Sequence, residues 1–199
     1  TAKEFDAILN HLAKGNVFEK AKSLRDRFQL TKEDGTSFYV RFFNSEDNSK
    51  NLFQVSSQII QKGLHENRYD VTLLVNGLPL AQIELKRSGI EIKEAFNQIN
   101  RYQHDSYDAG AGLFQFVQLF IISNGVNTKY FSNNKQQSFQ QTFFWADKDN
   151  KRLSDLHEFS SEFLKPCHIA KMITHYTVLT EEQIIKVLRP YQFYAVEAL

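Results

Sequence analysis

Residues 68–86 read RYDVTLLVNGLPLAQIELK, and this stretch decides the fold of the chain. Two runs rich in Val, Leu and Ile surround the turn-forming sequence NGLP, a pattern that predicts a β-hairpin. Three charged residues interrupt the apolar runs: Asp70 in the first strand, and Glu84 and Lys86 in the second. Because an apolar hairpin needs no charge for its packing, these three residues are the first candidates for function.

The predicted strands lie near 69–75 and 80–87, and side chains two residues apart on a strand point to the same face. Glu84 and Lys86 therefore share a face, together with Leu80 and Gln82, while the odd-numbered apolar residues pack inward. Two interpretations of the charged face stay open at this point: a solvated sheet surface, or part of a functional site.

Asp70 reaches the face of Glu84 only if it pairs with an even-numbered residue. A two-residue NG turn would pair Asp70 with Ile83 and place it on the wrong face. Pro79 argues against that register, because proline cannot donate a ladder hydrogen bond. A three-residue connection, or a β-bulge, would instead pair Asp70 with Glu84. We therefore expect the two carboxylates to face each other across the hairpin.

Two carboxylates about 5 Å apart repel each other unless a proton or a cation lies between them. A hard divalent cation with oxygen ligands, most naturally Mg²⁺, resolves this repulsion. Such a metal can activate water and stabilise charge on a phosphodiester, and Lys86 beside it can orient the water and offset negative charge. The pattern of Asp70, Glu84 and Lys86 thus indicates phosphodiester hydrolysis.

A predicted helix over about 90–107 follows the hairpin and places Gln98 and Tyr102 four residues apart on one face. Beside a metal site, an amide and a phenol could hydrogen-bond to phosphate or base. The alternative is that Tyr102 is a core aromatic residue with a solvated hydroxyl group. Ser88 and Glu91 fit a capping box at the start of this helix.

Composition narrows the class of protein. Of 199 residues, 42% are hydrophobic and 24% charged, which suits a globular domain. The net charge is +1, so if the chain binds nucleic acid, the positive charge must be local or supplied by another component. Cys167 is the single cysteine, which excludes an internal disulfide and a cysteine-based zinc site and favours the reducing cytoplasm. No apolar run of about 18 residues and no signal peptide occur, so no membrane contact is expected. Because the chain opens with Thr1, we expect a fragment of a longer polypeptide.

The remaining pattern predicts an α/β fold with a mixed central sheet flanked by helices. A buried central strand is expected at VQLFIIS within 113–125. Residues 52–60 favour a strand, although a helical turn stays open. The other expected elements are helices over 3–13, 18–29, 151–164 and 166–175, and strands over 38–43, 128–133 and 142–147.

These residues resemble the PD-(D/E)xK nucleases, specifically the branch with a QxxxY helix. The string RYDVTLLVNGLPLAQIELKRSG, followed by AFNQINRY, is similar to the restriction (motor) subunit of type I restriction–modification enzymes. The similarity extends to the N-terminal KEFDAILNHLAKGNVF and to QLFIISNG. The D…ExK pattern alone is weak, whereas its combination with NGLPL and QxxxY at this spacing is strong.

The resemblance implies a restriction-endonuclease-like core and a Mg²⁺-dependent endonuclease that cuts unmodified double-stranded DNA within an ATP-driven translocating complex. It implies that Asp70, Glu84 and the Leu85 backbone carbonyl hold the metal, that Lys86 is catalytic, and that Gln98 and Tyr102 contact DNA. Implied partners are the methyltransferase and specificity subunits and the chain's own motor domain.

The resemblance also implies a domain division, with the endonuclease at 1–176 and a linker and motor start at 177–199. The sequence RPYQ resembles the adenine-recognition element of superfamily-2 helicases, which makes Arg189, Tyr191 and Gln192 candidate nucleotide contacts. The alternative is a simple amphipathic helix with Pro in its first turn. No GxxxxGK[ST] is present, so ATP is expected to serve only the full-length protein. A further helix with an acidic residue near the metal is expected before the start of this chain.

Two other functions compete with this interpretation. One is a stand-alone nuclease of the same superfamily, such as a resolvase or repair exonuclease, against which the RPYQ sequence argues. The other is a catalytically idle docking domain that links a motor to its partners, against which the intact Asp, Glu and Lys set argues. Ser/His/Asp catalysis has no support, because no GxSxG occurs. His65 is the one histidine close in sequence to Asp70, and it is either a loop residue or a member of the site.

Overall fold

A five-stranded mixed sheet forms the centre of the fold in the computed structural model, in the strand order β3-β4-β5-β6-β7. The β5–β6 pair is parallel, and the other neighbouring pairs are antiparallel. This architecture confirms the expected α/β class with a mixed central sheet. The strands of the sheet are β3 Phe53–Lys62, β4 Glu66–Val75, β5 Leu78–Leu85, β6 Leu119–Ser123 and β7 Thr128–Ser132.

The structure describes residues 1–62, 66–103 and 112–199. His65 lies outside these ranges, and so does the part of the expected helix beyond residue 103. The strand alternative for residues 52–60 is confirmed from Phe53 onward, because β3 begins there, and the helical turn is excluded. The expected buried strand is confirmed as β6, all five residues of which are buried.

The β4–β5 hairpin turns on Asn76 and Gly77, which have φ values of 52° and 81°. Positive φ at both central residues is the signature of a type I′ turn, whose twist matches that of the flanking strands. Val75 consequently pairs with Leu78, so the expected three-residue connection is wrong. Pro79 does not prevent the two-residue turn, because it lies beside a register shift, where the ladder does not need its missing N–H.

A β-bulge directly after this turn restores the expected register. Leu74 pairs with Pro79, but Leu73 pairs with Ala81, so Leu80 is the extra residue. The bulge turns Leu80 into the same core cluster as Ala81 and away from the face of Glu84, contrary to the alternation that we expected. The paired residues end at Val71–Ile83, and one further step in this register would set Asp70 opposite Glu84, next to the Leu85 N–H that its carboxylate accepts. A β-bulge, and not a three-residue connection, therefore sets the register of the hairpin.

Helix α3, Ile92–Tyr102, covers the sheet face that carries Glu84. Gln82 and Glu84 on this face are both 0% exposed, so a solvated sheet surface is excluded. Long apolar side chains fill the space under the helix. The buried residues of this cluster are Tyr69, Ala95, Phe96, Ile99, Tyr102, Val117, Phe120, Ile122 and Phe131.

The opposite sheet face packs against the C-terminal helices and forms the larger core cluster. Its members include Val75, Leu80, Ala81, Ile83, Leu119, Ile121, Tyr130, Trp145, Phe159, Phe163 and Met172. Because β5 is buried on both faces, a polar side chain on it must be satisfied inside the protein.

The remaining helices and strands surround this sheet. They are α1 Ala2–Ala13, α2 Val17–Ser23, β1 Phe28–Thr31, β2 Ser37–Val40, β8 Trp145–Ala146, β9 Arg152–Leu153, α4 Leu156–Phe163, α5 Pro166–Thr174, β10 Thr177–Leu179, β11 Ile185–Val187 and α6 Pro190–Glu197. No helix in the described ranges is long and apolar enough to cross a membrane.

Several expected boundaries are wrong for local reasons. The expected helix 18–29 ends at Ser23, because residues from Phe28 onward pair with β2 instead. Helix α4 begins only after Asp155, whose side chain accepts the N–H of His157 at 2.8 Å. The strands expected over 38–43 and 142–147 are shorter than predicted: they correspond to β2, Ser37–Val40, and β8, Trp145–Ala146.

The expected capping box at the start of α3 is also wrong. Glu91 is the N-cap residue of this helix, and its side chain makes no capping hydrogen bond. Gly89 has a φ of 90°, a left-handed conformation that separates Ser88 from the helix start. The chain between β5 and α3 is therefore a turn and not the first part of the helix.

Residues after 177 pack against the sheet domain. The Tyr130 hydroxyl group donates to the Leu188 carbonyl at 2.8 Å, and Ser132 donates to the Ile185 carbonyl at 2.7 Å. Phe193 of α6 is buried in the larger core cluster. The expected domain division at 176–177 stays a prediction, and these contacts show that the last segment shares the core of the preceding residues.

Candidate functional site

Asp70 and Glu84 come together at the open end of the β4–β5 hairpin, as the register requires. The Asp70 carboxylate accepts the backbone N–H of Leu85 at 2.9 Å, which fixes it beside the end of β5. Its negative charge is near enough to Glu84 to raise the pKa of that group. The structure thus brings together the two carboxylates that the sequence pattern predicted.

Glu84 lies in an environment that disfavours its charge. Its Oε2 atom is buried and has no hydrogen-bond partner among the described residues. Burial first, and the charge of Asp70 second, raise the pKa of Glu84 from 4.5 to about 7, although Lys86 acts in the opposite direction. A buried carboxylate oxygen without a partner is costly, so this position favours a proton or a cation.

Lys86 connects the carboxylates to helix α3. Its Nζ atom lies 3.1 Å from Glu84 Oε1 and also donates to the Gln98 side-chain oxygen. About a quarter of the Lys86 side chain stays exposed to solvent (23%), in contrast to Glu84. The ammonium group therefore lies between the buried carboxylate and the solvent, where a substrate would enter.

Gln98 and Tyr102 continue the same hydrogen-bond network. The Gln98 amide donates to the Tyr102 hydroxyl group, which in turn donates to the Arg68 carbonyl at 3.0 Å. The Tyr102 ring is only 6% exposed and packs edge-on against Tyr69, at a centroid distance of 5.0 Å. Tyr102 is thus a core aromatic residue whose hydroxyl group belongs to the site, which combines the two interpretations of the sequence.

The network includes a residue that the sequence reasoning missed. The Arg68 carbonyl, two residues before Asp70 on β4, accepts the last hydrogen bond of the chain that begins at Lys86. This bond ties α3 to the strand that carries Asp70, so the helix and the hairpin hold each other in place. A backbone acceptor leaves no signal in the sequence, because any residue at that position supplies a carbonyl group.

The donor set fits a hard cation. Asp70 and Glu84 supply carboxylate oxygens, which Mg²⁺ prefers, and the unpartnered Glu84 Oε2 is an orphaned buried acceptor. Within the described ranges, no three His, Cys, Asp or Glu side chains converge to form a complete metal cage. Mg²⁺ commonly keeps several waters and binds through one or two carboxylates, so two protein carboxylates suffice for a shared site.

The predicted nucleotide residues lie on or next to α6 and make no hydrogen bond or ion pair with the carboxylate site. The Arg189 guanidinium group lies over the Phe143 ring at 4.7 Å, and the Gln192 side chain accepts the Arg189 N–H at 2.9 Å. Tyr191 is exposed at 62%. The Gln192 contact is a helix-capping interaction, which matches the structural alternative considered for this segment and leaves its nucleotide role untested.

We expect the stability of the metal-free protein to fall as pH rises through the range in which Glu84 loses its proton. The folded state holds this proton up to a pKa of about 7, whereas the unfolded state releases it near 4.5. The contribution of this proton to the free energy of unfolding is therefore complete below about pH 4.5 and is lost as pH rises through about 7. The expected loss is on the order of a few kcal/mol. Urea unfolding in EDTA at about pH 5 and about pH 8 measures the difference.

The matched control for this pH effect is Glu84→Gln, which keeps the shape of the side chain and cannot ionise. Its stability should lack the part of the pH dependence that Glu84 causes, while all other titrating groups stay in place. Equal pH dependence of the original chain and of Glu84→Gln would contradict the expectation.

Comparison with known proteins relates this chain to type I restriction enzymes. A family model described as the type I restriction enzyme R protein N terminus matches residues 1–139. This range includes the whole hairpin, helix α3 and strands β6 and β7.

Curated staphylococcal relatives match over the full length of the chain. The SauCOLORF180P endonuclease subunit of Staphylococcus aureus (strain COL) is 46% identical over 201 residues, covering 100% of this chain and 21% of the relative. The SsaAORF53P endonuclease subunit of Staphylococcus saprophyticus is 47% identical with the same coverage. The EcoprrI endonuclease subunit of Escherichia coli is 41% identical over 188 residues, or 92% of this chain and 60% of the relative. The chain spans about a fifth of the length of the staphylococcal relatives.

Proposed function

The chain belongs to the family of type I restriction enzyme R proteins, and from this premise we propose that it is the Mg²⁺-dependent endonuclease part of such a subunit. Its substrate would be unmodified double-stranded DNA, hydrolysed at phosphodiester bonds. The observation that carries the proposal is the opposed pair of Asp70 and Glu84, with Lys86 bound to the buried carboxylate. We further propose that the mixed sheet with this hairpin is a restriction-endonuclease-like PD-(D/E)xK core.

Asp70, Glu84 and the Leu85 backbone carbonyl would hold the metal, which when bound supplies Lewis-acid stabilisation and an activated water. The Leu85 N–H orients Asp70 through its 2.9 Å hydrogen bond. Glu84 is shielded from solvent, which strengthens its attraction for a cation. The protein thus provides two aligned oxygen donors at the end of one hairpin.

Lys86 would act on the substrate phosphate. Its position at the solvent boundary, 3.1 Å from Glu84, allows the ammonium group to stabilise negative charge that develops on the phosphate and to orient the attacking water. Gln98 limits the motion of this side chain by accepting one of its N–H groups. Preorganisation of this kind lowers the cost of aligning a charged group during the reaction.

The proposed partners follow from the same family. The methyltransferase and specificity subunits, the chain's own motor domain and ATP in the full-length protein would supply recognition and translocation, in a cytoplasmic complex. The near-neutral charge of the chain supports this division of tasks, because a net charge of +1 gives it little general affinity for DNA. The reducing cytoplasm suits a chain with a single cysteine.

Cleavage of plasmid DNA by the full-length subunit in its complex tests the proposed function. We expect strand breaks with Mg²⁺ and ATP, and no breaks when EDTA replaces the metal. The complex incubated with fully methylated plasmid is the control for restriction specificity. Absence of metal-dependent breaks in unmethylated plasmid, with translocation intact, would refute the proposal.

Gln98→Ala and Tyr102→Phe are expected to slow DNA cleavage by about 10-fold each, since each breaks the network that positions Lys86. Binding of Mg²⁺ should stay within about 2-fold of the original, because neither residue supplies a carboxylate. Isothermal titration measures the metal affinity, and single-turnover assays measure the cleavage rate.

The matched controls are Gln140→Ala and Tyr39→Phe, which alter exposed side chains outside this network. Both controls should cleave DNA at the original rate. If Gln98→Ala and Tyr102→Phe also cleave at that rate, the pair has only a packing role.

A further inference from the structure

Lys129 and Arg152 form a cationic cluster around the ring of Phe144. The Lys129 Nζ atom lies 4.8 Å from the centroid of Phe144, and the Arg152 guanidinium carbon lies 3.4 Å from the same centroid, so the two charges are at most about 8 Å apart. Lys129 also lies over the Phe139 ring at 4.5 Å. Aromatic faces hold both cations in place.

Neither cation has an acidic partner in the part of the chain that the structure describes. Lys129 donates one N–H to the Thr142 hydroxyl group at 3.1 Å, and an ammonium group has three N–H donors. Burial and the nearby charge of Arg152 both lower the pKa of Lys129. Two adjacent positive charges without a counter-ion repel each other, and a bound anion would remove this repulsion.

The cluster lies on the same sheet face as the carboxylate site. Ile122 of β6 pairs with Glu84 on one side and with Lys129 on the other, so the three residues form one row across the sheet. Neighbouring strands are about 4.8 Å apart, which places the Lys129 backbone about 10 Å from that of Glu84. Helix α3 covers the middle of this row, with the carboxylates at one side and the cations at the other.

We propose that Lys129 and Arg152 form a binding site for a phosphodiester group of the DNA, a few nucleotides away from the bond that is cut at Asp70 and Glu84. This inference rests on the proposed nuclease function, which supplies the polyanion. Successive phosphates of one strand advance about 3.4 Å along the helix axis, so a separation of about 10 Å measured along that axis corresponds to about three nucleotides. The site would hold the backbone in register without reading its sequence.

DNA binding at several salt concentrations tests the proposal, with the full-length subunit, a short labelled duplex and EDTA to prevent cleavage. The variants are Lys129→Gln, Arg152→Gln and the double variant. Each lost phosphate contact should make the slope of log K against log salt shallower by about 1, and the double variant should bind about 10-fold more weakly at low salt. Arg152→Lys keeps the charge and should keep most of the affinity.

The matched control combines Lys186→Gln with Arg27→Gln, two exposed cations that form no ion pair among the described residues. It loses the same net charge and should bind DNA nearly as the original does. Arg152→Gln alters an exposed side chain, so its result stands even if Lys129→Gln unfolds the protein. A salt slope that is unchanged in Arg152→Gln and in the double variant would overturn the proposal.

A poly-glutamate peptide is the second probe. If the double variant loses binding of this peptide but binds DNA as before, the site holds an acidic protein surface and the proposal is wrong. If the proposed nuclease function itself is wrong, the result is different: the original protein does not cleave DNA with Mg²⁺. Loss of DNA affinity in the variants is measured without metal and does not depend on cleavage.

Discussion

Glu84→Gln is expected to abolish DNA cleavage by the full-length complex, with a loss of at least about 10³-fold in rate. The substitution keeps the size of the side chain but removes the charge that would hold the metal. It also leaves Asp70 as the only ionisable member of the opposed Asp70–Glu84 pair. Because Glu84 is buried, no neighbouring solvent-exposed group can take its place.

Asp70→Asn and Lys86→Ala should give the same phenotype for different reasons. Asp70→Asn removes the second carboxylate while its side chain can still accept the Leu85 N–H. Lys86→Ala removes a positive charge that favours the transition state, which typically costs about 10²–10³ in rate. Mg²⁺ binding should therefore fall in the two carboxylate variants and persist in Lys86→Ala, a difference that isothermal titration can measure.

ATP hydrolysis should survive in all three variants. The chain contains no phosphate-binding loop, so the nucleotide site of the full-length protein would lie outside these residues. DNA cleavage and DNA-stimulated ATPase activity are measured on the same preparations, with Glu94→Gln on the exposed side of α3 as the matched control. Loss of ATPase activity in all three folded variants would mean that the residues serve the motor, and the nuclease proposal would fall.

The face-to-face carboxylates could be predicted from sequence because strand parity leaves few choices. Asp70 had to pair with an even-numbered residue for the charged set to meet, and either a longer turn or a bulge would achieve this. The sequence could not decide between them. Asn76-Gly77 strongly favours a type I′ turn, and only packing of Leu80 into the core shows that the extra residue follows the turn.

Where predictions from sequence patterns were wrong, tertiary packing explains the observed structure. The solvated-face alternative was reasonable for Glu84 and Lys86, but helix α3 buries Gln82 and Glu84 on that face. Residues near Phe28 fit a helical pattern, yet pairing with β2 makes them a strand. The cluster of Lys129 and Arg152 left no pattern at all, since these residues are far apart in sequence and meet only through the ring of Phe144.

The second large effect concerns Phe193, the buried residue of helix α6. Phe193 is 6% exposed, and its ring lies 5.3 Å from Trp145 and 4.8 Å from both His168 and Tyr176. It therefore joins α6 to β8, to the first turn of α5 and to Tyr176 just after that helix. If residues after 176 were only a linker and the start of another domain, the preceding domain would not need this ring.

Phe193→Ala is expected to lower the free energy of unfolding by about 3–5 kcal/mol, because it removes a large buried ring and leaves a cavity among aromatic neighbours. Tyr191→Ala, on the same helix but 62% exposed, is the matched control and should change stability by no more than about 0.5 kcal/mol. Urea unfolding followed by Trp145 fluorescence measures both variants, since Trp145 is the single tryptophan and contacts Phe193 directly. The expected result means that the candidate nucleotide residues around α6 are fixed to the sheet domain. A loss below about 1 kcal/mol in Phe193→Ala would instead support a domain that ends at residue 176.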